Sequence, residues 1–360
     1  MGLKRVANAI SRDCIREKLD GLWNLAALQT VLYDGCLICK ANDMENRIID
    51  TNALYKQYNR RRKEFAVEGL DLHVARGTLF GLIGPDGAGK STTLRILATI
   101  LPASSGEAAI DGFDVKTQPE KIRSLIGYMP QNFSLYLDLS VIENLTFFAD
   151  IQHVHSFERG ARIEKMLEFT RLKQFQHRRA RDLSGGMKKK LALACAMIHN
   201  PQILILDEPS TGVDPVSRRE LWAILAEVVQ NGVTVVVSTP YMDEAERCHM
   251  VAIMHHGKVI ASGSPAELRS AMPFDVIELK ARPRKEARRI VSQLNGIHDW
   301  RPVGDRFRLS VEKNDMTRKI QEIRAEMDNQ ELDVRILRQA APTMEDVFIH
   351  QAQNSRGAHE

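Results

Sequence analysis

The sequence predicts an α/β chain built on a helix-covered parallel sheet, followed by a small α+β region. Three observations carry this. From about residue 47 onward, apolar runs bounded by turn residues alternate with helical patterns, the order expected of parallel strands joined by crossover helices. Leu79–Ile83 and residues 203–206 are almost wholly apolar, and 233–237 is broken only by Thr234. Runs without polar alternation belong to central strands covered on both faces. After Ser264 and Pro265 the pattern becomes strand (274–279), helix (285–294), hairpin (300–311), helix (316–327) and strand (332–337).

Between the two halves of the sheet, residues 141–175 place Ile142, Leu145 and Phe148, then Ile163, Met166 and Leu167, at helical spacing, and so read as a helical insertion. The expected organisation is an N-terminal extension of no assigned role (1–46), an α/β domain (47–268) with its insertion at about 132–198, an accessory domain (271–350) and a tail (351–360). Residues 1–43 offer no chemistry and read either as an extension from an upstream start, with Met44 the candidate true start, or as a dispensable segment.

Length agrees with two or three domains, since 360 residues are divided at roughly 150 per domain. A composition of 44% hydrophobic and 27% charged residues excludes disordered, collagen-like and disulfide-scaffold classes. Fifty Lys and Arg against 46 Asp and Glu leave a net charge of +4 spread over the chain, too little to argue for a nucleic-acid partner. The apolar-leaning stretch 22–39 is interrupted by Asn24, Gln29 and Asp34, which excludes a span of about 20 apolar residues. Ser11, Arg12 and Asp13 stand where a secretory signal needs an apolar run, so a cytoplasmic location is expected. Cys36 and Cys39 lack the second pair that a zinc site of this spacing requires. The basic run Arg60-Arg61-Arg62-Lys63 and the lysines 188–190 read as solvated faces.

The chemistry begins right after the strand Leu79–Ile83, at Gly84-Pro-Asp86-Gly87-Ala88-Gly89-Lys90-Ser91-Thr92. This is GxxxxGK[ST] in the strand–loop–helix setting that the motif requires. Gly84, Gly87 and Gly89 let the backbone turn its N–H groups inward around phosphate oxygens, and a helix starting near Lys90 directs the positive end of its dipole at the same anion. Lys90 supplies charge to the β and γ phosphates, Ser91 a hydroxyl for Mg²⁺, and Thr92 a further donor. Farther on, the apolar strand 203–206 ends in Asp207 and Glu208, at the carboxyl edge where α/β sheets bind ligands. Asp207 can hold Mg²⁺ through water, and Glu208 can position or deprotonate the water that attacks the γ phosphate.

Between these lies Leu183-Ser184-Gly185-Gly186-Met187, opening a helix that leads to Asn200-Pro201. With the phosphate loop, Gln131 in Tyr128-Met-Pro-Gln131, and Asp207-Glu-Pro-Ser-Thr-Gly-Val-Asp214, it closely resembles the ATPase subunits of ATP-binding-cassette transporters over about residues 47–268. The resemblance implies a P-loop fold binding ATP and Mg²⁺, and two cassettes closing head to tail over two ATP molecules. Ser184, Gly185 and Gly186 of one subunit would then bind the γ phosphate held by the other. Gln131 would ligate Mg²⁺ and sense the membrane partner, Asp214 would span the dimer interface, and Tyr58 would stack on adenine. The segments 239–248 and 341–348 resemble the exporter branch that includes antibiotic and multidrug efflux ATPases, whose permeases are separate polypeptides. The chain would lie peripherally on the membrane, with the permease held by Phe133, Leu135, Tyr136 and Leu139 beside Gln131.

Departures from the family pattern bear on activity. Pro240 replaces the usual His that reaches the γ phosphate, offering neither an imidazole nitrogen nor a backbone N–H. Asp86 replaces Asn, and Met187 replaces Gln. The alternatives to an export ATPase are a clamp that binds ATP with weak hydrolysis, favoured by Pro240, and a soluble cassette ATPase acting on ribosomes or nucleic acid. The latter class carries tandem cassettes or a long coiled-coil insertion, for which this chain has no room.

Overall fold

The computed structural model describes residues 46–59, 64–132, 135–313 and 315–357. Met44, Cys36 and Cys39, the run Arg60 to Lys63, and Phe133 lie outside the described residues.

The central sheet forms because three strands have no polar face. In β3 (Leu79–Ile83), β7 (Ile203–Asp207) and β8 (Thr234–Thr239) every residue is buried. Their neighbours are β6 (Ile126–Met129), β9 (Met250–His255) and β10 (Lys258–Gly263), in the order β10-β9-β3-β8-β7-β6. All pairings are parallel except that of the edge strand β10 with β9.

Side chains alternate across the sheet. Leu79, Ile83, Leu204, Leu206, Val235 and Val237 enter one core, whereas Phe80, Leu82, Ile203, Ile205 and Val236 enter another. The first core is closed by α3 (Val141–Ile151), α4 (Ser156–Phe169), α5 (Gly185–Met197) and α6 (Pro215–Gln230), through residues such as Leu145, Leu167, Leu191 and Leu225. The second is closed by α1 (Lys90–Leu97) and by an antiparallel sheet containing β1 (Arg47–Lys56), β2 (Val67–Ala75), β4 (Ser105–Ile110) and β5 (Phe113–Asp114). Helix α2 (Pro119–Leu125) leads into β6. Register places Ile83 beside Thr239 and Asp207 beside Ser238. The loops that leave β3, β7 and β8 therefore start from one edge of the sheet.

Helices α3, α4 and α5 fall within the bounds expected for the insertion, about 132–198. Helix α3 opens with a capping box in which Ser140 and Glu143 each accept the other's backbone N–H. The expected α+β region is also present. Strands β11 (Phe274–Arg282), β12 (Ile297–Val303), β13 (Arg306–Glu312) and β14 (Asp333–Ala340) form an antiparallel sheet ordered β12-β13-β11-β14. Helices α9 (Arg284–Val291) and α10 (Met316–Asn329) complete a split βαβ arrangement.

Strand β11 divides its side chains between two cores. Ile277, Leu279 and Ala281 pack with α9 and α10, whereas Phe274 and Val276 join the first core of the α/β sheet. Past α7 (Met242–Ala245) and α8 (Pro265–Ser270), the described residues end in α11 (Met344–Gly357), whose Met344 and Val347 enter that same core. Residues 351–357, expected as a tail, continue α11. No Gly or Pro interrupts residues 344–356, and Thr343 and Asp346 exchange hydrogen bonds at the start of the helix.

One expectation about surface charge is overturned. Lys189 and Lys190 do not face solvent: both are buried. They share an inward stripe with Gly186 and Leu193, at the i, i+3, i+4, i+7 spacing of a packed helix face.

Candidate functional site

The loop after β3 delivers backbone donors to a single point. Helix α1 starts after Gly89, which sits at φ 106° and makes no side-chain cap, so the amides of the first turn point at the loop. No other residue fits there. A Cβ on Gly89 would stand 2.2 Å from the Ala66 carbonyl oxygen. Lys90 is only 3% exposed. Its Nζ donates to the carbonyl oxygens of Gly84 (2.8 Å) and Pro85 (3.0 Å) and lies 3.8 Å from Glu208 Oε1. Burial lowers its pKa, against the opposing pull of Glu208, Asp86 and Asp207.

At the end of β7 the two acids divide their roles. Asp207 Oδ1 accepts from Ser91 Oγ (2.9 Å) and Ser238 Oγ (2.7 Å), whereas its Oδ2 is buried without a hydrogen-bond partner. An orphan carboxylate oxygen beside a serine hydroxyl fits a hard cation that takes oxygen ligands and keeps several waters. Glu208 Oε2 accepts from Gln131 Nε2 (2.8 Å) and Thr211 Oγ1 (3.1 Å), and the Glu208 backbone N–H donates to Ser238 Oγ. Gln131 thus reaches the acid across the sheet edge from the loop after β6.

Asp86, Gly87, Ala88, Gly89, Lys90, Ser91, Thr92, Gln131 and Glu208 line one cleft of about 250 Å³. Tyr58 stands exposed nearby, its hydroxyl 3.2 Å from Thr92 Oγ1. Pro240 follows β8 directly, and the carbonyl oxygen of Thr239 accepts the Gly84 N–H at 3.4 Å.

The Ser-Gly-Gly motif is not part of this cleft. Ser184 caps α5 by accepting the Met187 N–H at 3.3 Å. Gly185 is exposed, and Gly186 packs so closely that a Cβ would lie 2.4 Å from Ser217 Cβ. Asp214 caps α6, accepting the N–H groups of Val216 and Ser217 at 3.0 Å each. Hydrogen bonds from Ser217 hold its pKa low.

A residue outside the motifs completes the site. Lys189 Nζ donates to the backbone carbonyls of Gln131 (3.1 Å) and Glu208 (3.2 Å), and burial lowers its pKa against Glu208 and Asp207. The helical spacing of Gly186, Lys189, Lys190 and Leu193 was the signal that could have found it.

In the helical insertion, Tyr136 is 49% and Leu137 47% exposed, and the Tyr136 ring meets Phe147 edge-on at 4.3 Å. Leu135, expected on that surface, is 8% exposed and packs in the first core, and Leu139 is half-buried.

Comparison with known proteins agrees with this geometry. The family model described as ABC transporter matches residues 67–211. The daunorubicin/doxorubicin resistance ATP-binding protein DrrA of Streptomyces peucetius is 35% identical over 312 residues, covering 86% of this chain and 93% of DrrA. The probable multidrug ABC transporter ATP-binding protein YbhF of Escherichia coli K12 is 44% identical over 229 residues, covering 64% of this chain. The chain spans 39% of the length of YbhF. Among solved structures, cbiO1 from Clostridium perfringens, part of an ABC transporter complex, aligns with a TM-score of 0.58 at 26% identity over 69% of this chain and 96% of its own. A dimeric ATP-binding cassette in a post-hydrolysis state with ADP and Pi aligns at 0.56 and 26% identity, over 60% of this chain and 98% of that one. With the motifs in order, the phosphate loop, Gln131 and Glu208 lining one cleft, and these likenesses in sequence and fold, the chain belongs to the ABC transporter family.

Proposed function

We propose that this chain binds ATP with Mg²⁺ and hydrolyses it, and that, paired head to tail with a second cassette, it powers export through a separate membrane permease. The observation that carries this reading is the convergence of Lys90, Ser91, Gln131 and Glu208 on one cleft, with Asp207 behind Ser91. ATP-handling residues fall within 47–268, with 271–350 as an accessory region. The relatives named for drug resistance and multidrug transport support export as the direction. Among the described residues no helix is long and apolar enough to cross a membrane. The exposed Tyr136 and Leu137 beside Gln131 form the contact surface for that permease.

The chain's own groups divide the work. Lys90 gives up its bonds to Gly84 and Pro85 for oxygens of the β and γ phosphates, and the amides of the loop and first helical turn take the remaining charge. Ser91, Asp207 and Gln131 would hold Mg²⁺, which when bound neutralises charge between the β and γ phosphates. Glu208 aligns the attacking water and accepts its proton. Gln131, bonded to Glu208 and next to the permease surface, links contact with the permease to the general base. Ser184, Gly185 and Gly186 lie outside the cleft of their own chain, as expected if they serve the ATP of the partner cassette, with Asp214 at that interface and Tyr58 on adenine.

Lys189 offers a check on this arrangement. Lys189→Met keeps the bulk but removes both bonds: the part-buried Gln131 carbonyl loses this donor, while the Glu208 carbonyl keeps the Thr211 N–H at 3.3 Å, so the cost is about 1–3 kcal/mol at most. The midpoint of thermal unfolding is expected to fall. Turnover should drop more than ATP affinity, because the two carbonyls belong to Gln131 and Glu208. Equal losses in turnover and affinity would show that Lys189 serves only the fold.

Pro240 favours a second reading, an ATP clamp with weak hydrolysis. The cradle and metal ligands supply ground-state binding, and the missing donor weakens only the transition state. Losing one such donor elsewhere costs about 10²–10³-fold. Single-site hydrolysis by the purified chain is therefore expected to be slow, and Pro240→His to accelerate it. A parent rate already typical of such ATPases would remove Pro240 as the limit. No hydrolysis by the parent, alone or with a co-purified membrane subunit, would leave the clamp.

A further inference from the structure

We infer that Glu244 is a positioning residue for γ-phosphate cleavage, a buried carboxylate that ties the loop after Glu208, the turn at Pro240 and helix α6 into one unit. The inference rests on the hydrolytic reading above. Glu244 sits in α7 and is 1% exposed, between the exposed Asp243 and Glu246. Its Oε2 accepts from Ser210 Oγ (2.9 Å) and Thr239 Oγ1 (2.5 Å), and its Oε1 from Trp222 Nε1 (3.0 Å). The Nε of Arg218 stands 3.7 Å from Oε1, and its guanidinium lies over the Tyr241 ring at 4.5 Å. A buried charge is tolerated only when surrounded by donors or an opposite charge. Here the donors come from three separate elements, so burying the carboxylate requires those elements to be in place.

Two of the three donors lead to the cleft, and the third to the helix that Asp214 caps. Ser210 is two residues beyond Glu208. Thr239 precedes Pro240, its hydroxyl also accepts the Tyr241 N–H at 3.1 Å, and its carbonyl takes the Gly84 N–H. Trp222 and Arg218 lie on α6, the helix capped by Asp214. Glu244 is not among the residues lining the cleft, so it acts through its partners and does not touch phosphate. Ala245 and Cys248 share the first core with Met344 and Val347 of α11, which braces α7 from behind.

The test compares full-length Glu244→Ala and Glu244→Gln with the parent for kcat, KM and equilibrium ATP binding, alongside amide hydrogen exchange of the segment 209–214. Glu244→Ala is expected to lower kcat by about 10- to 100-fold, the scale of a small misplacement of catalytic groups, with ATP affinity changed no more than about threefold if ground-state binding is untouched. Glu244→Gln should recover most of the loss, since its amide can accept from Trp222 while the two hydroxyls reverse their bonds. Parental kcat in Glu244→Ala, or a loss that falls on ATP affinity instead, overturns the inference. If Glu244→Ala does not fold, Ser210→Ala takes its place, and parental kcat there overturns it equally. A parent that hydrolyses nothing refutes the hydrolytic reading and with it the role in cleavage, leaving the tie between the three elements to be tested on its own. Exchange of 209–214 then decides: faster exchange in the alanine variant supports the tie, and unchanged exchange refutes it.

Discussion

Lys90→Ala is expected to remove ATP binding almost completely while the chain stays folded. Among the described residues lining the cleft, Lys90 is the only cation, and it faces Asp86 and Glu208 there, with Asp207 close behind. Without its charge, a triphosphate meets three carboxylates with only backbone dipoles to offset them. Removing one member of a buried, hydrogen-bonded charge pair costs about 2–5 kcal/mol, which is roughly 30- to several-thousand-fold in dissociation constant. The fold has less to lose. Burial already disfavours the charged form of Lys90, so its deletion relieves a desolvation cost while breaking two bonds to loop carbonyls. Titration with a fluorescent ATP analogue, next to the thermal midpoint of the nucleotide-free chain, separates the two effects. Binding lost with a midpoint near the parent's is the expected result. A collapsed midpoint would make Lys90 a structural residue first, and near-parental affinity would refute its role in the cradle.

What could be read from the sequence follows from how locally each feature is determined. Strands β3, β7 and β8 are apolar on both faces, so their sequences alone declare them central. The phosphate loop, Asp207 with Glu208, and Ser184 with its glycines are contiguous motifs whose chemistry needs no knowledge of the rest. Lys189 was misread because a run of three lysines resembles a solvated face. Its partners, the carbonyls of Gln131 and Glu208, lie 58 and 19 residues away in sequence. Leu135 was misplaced for a similar reason, since an apolar residue in a loop can face either the core or a partner. Glu244 lay within a recognised stretch of the exporter resemblance, yet its burial shows only once Ser210, Trp222 and Thr239 surround it. Strand β11 and helix α11 belong to an accessory region by sequence pattern, but they send Phe274, Val276, Met344 and Val347 into the first core.

Glu208→Gln is expected to stop hydrolysis and preserve binding. The substituted amide can still accept from Gln131 and Thr211 through its carbonyl oxygen, and the backbone bond to Ser238 is untouched. Residue 208 has a positive φ of 48°, a conformation that costs Gln no more than it costs Glu. Little reason remains for the loop to move. What disappears is the group that can take a proton from the attacking water. General base catalysis contributes typically about 10²–10⁴-fold, so turnover should fall by about three orders of magnitude. Loss of a negative charge 3.8 Å from Lys90 should leave ATP binding equal or tighter, because the lysine is then neutralised by phosphate alone. A chain that binds ATP and cannot cleave it should also accumulate in the closed pair, visible as an ATP-dependent dimer in sedimentation that the parent forms only transiently. Turnover equal to the parent's would remove Glu208 as the base and move that role to another group at the sheet edge. Loss of binding would instead mean that the Glu208 charge orders Lys90 before nucleotide arrives. Single-turnover hydrolysis measured beside equilibrium binding distinguishes these outcomes in one experiment.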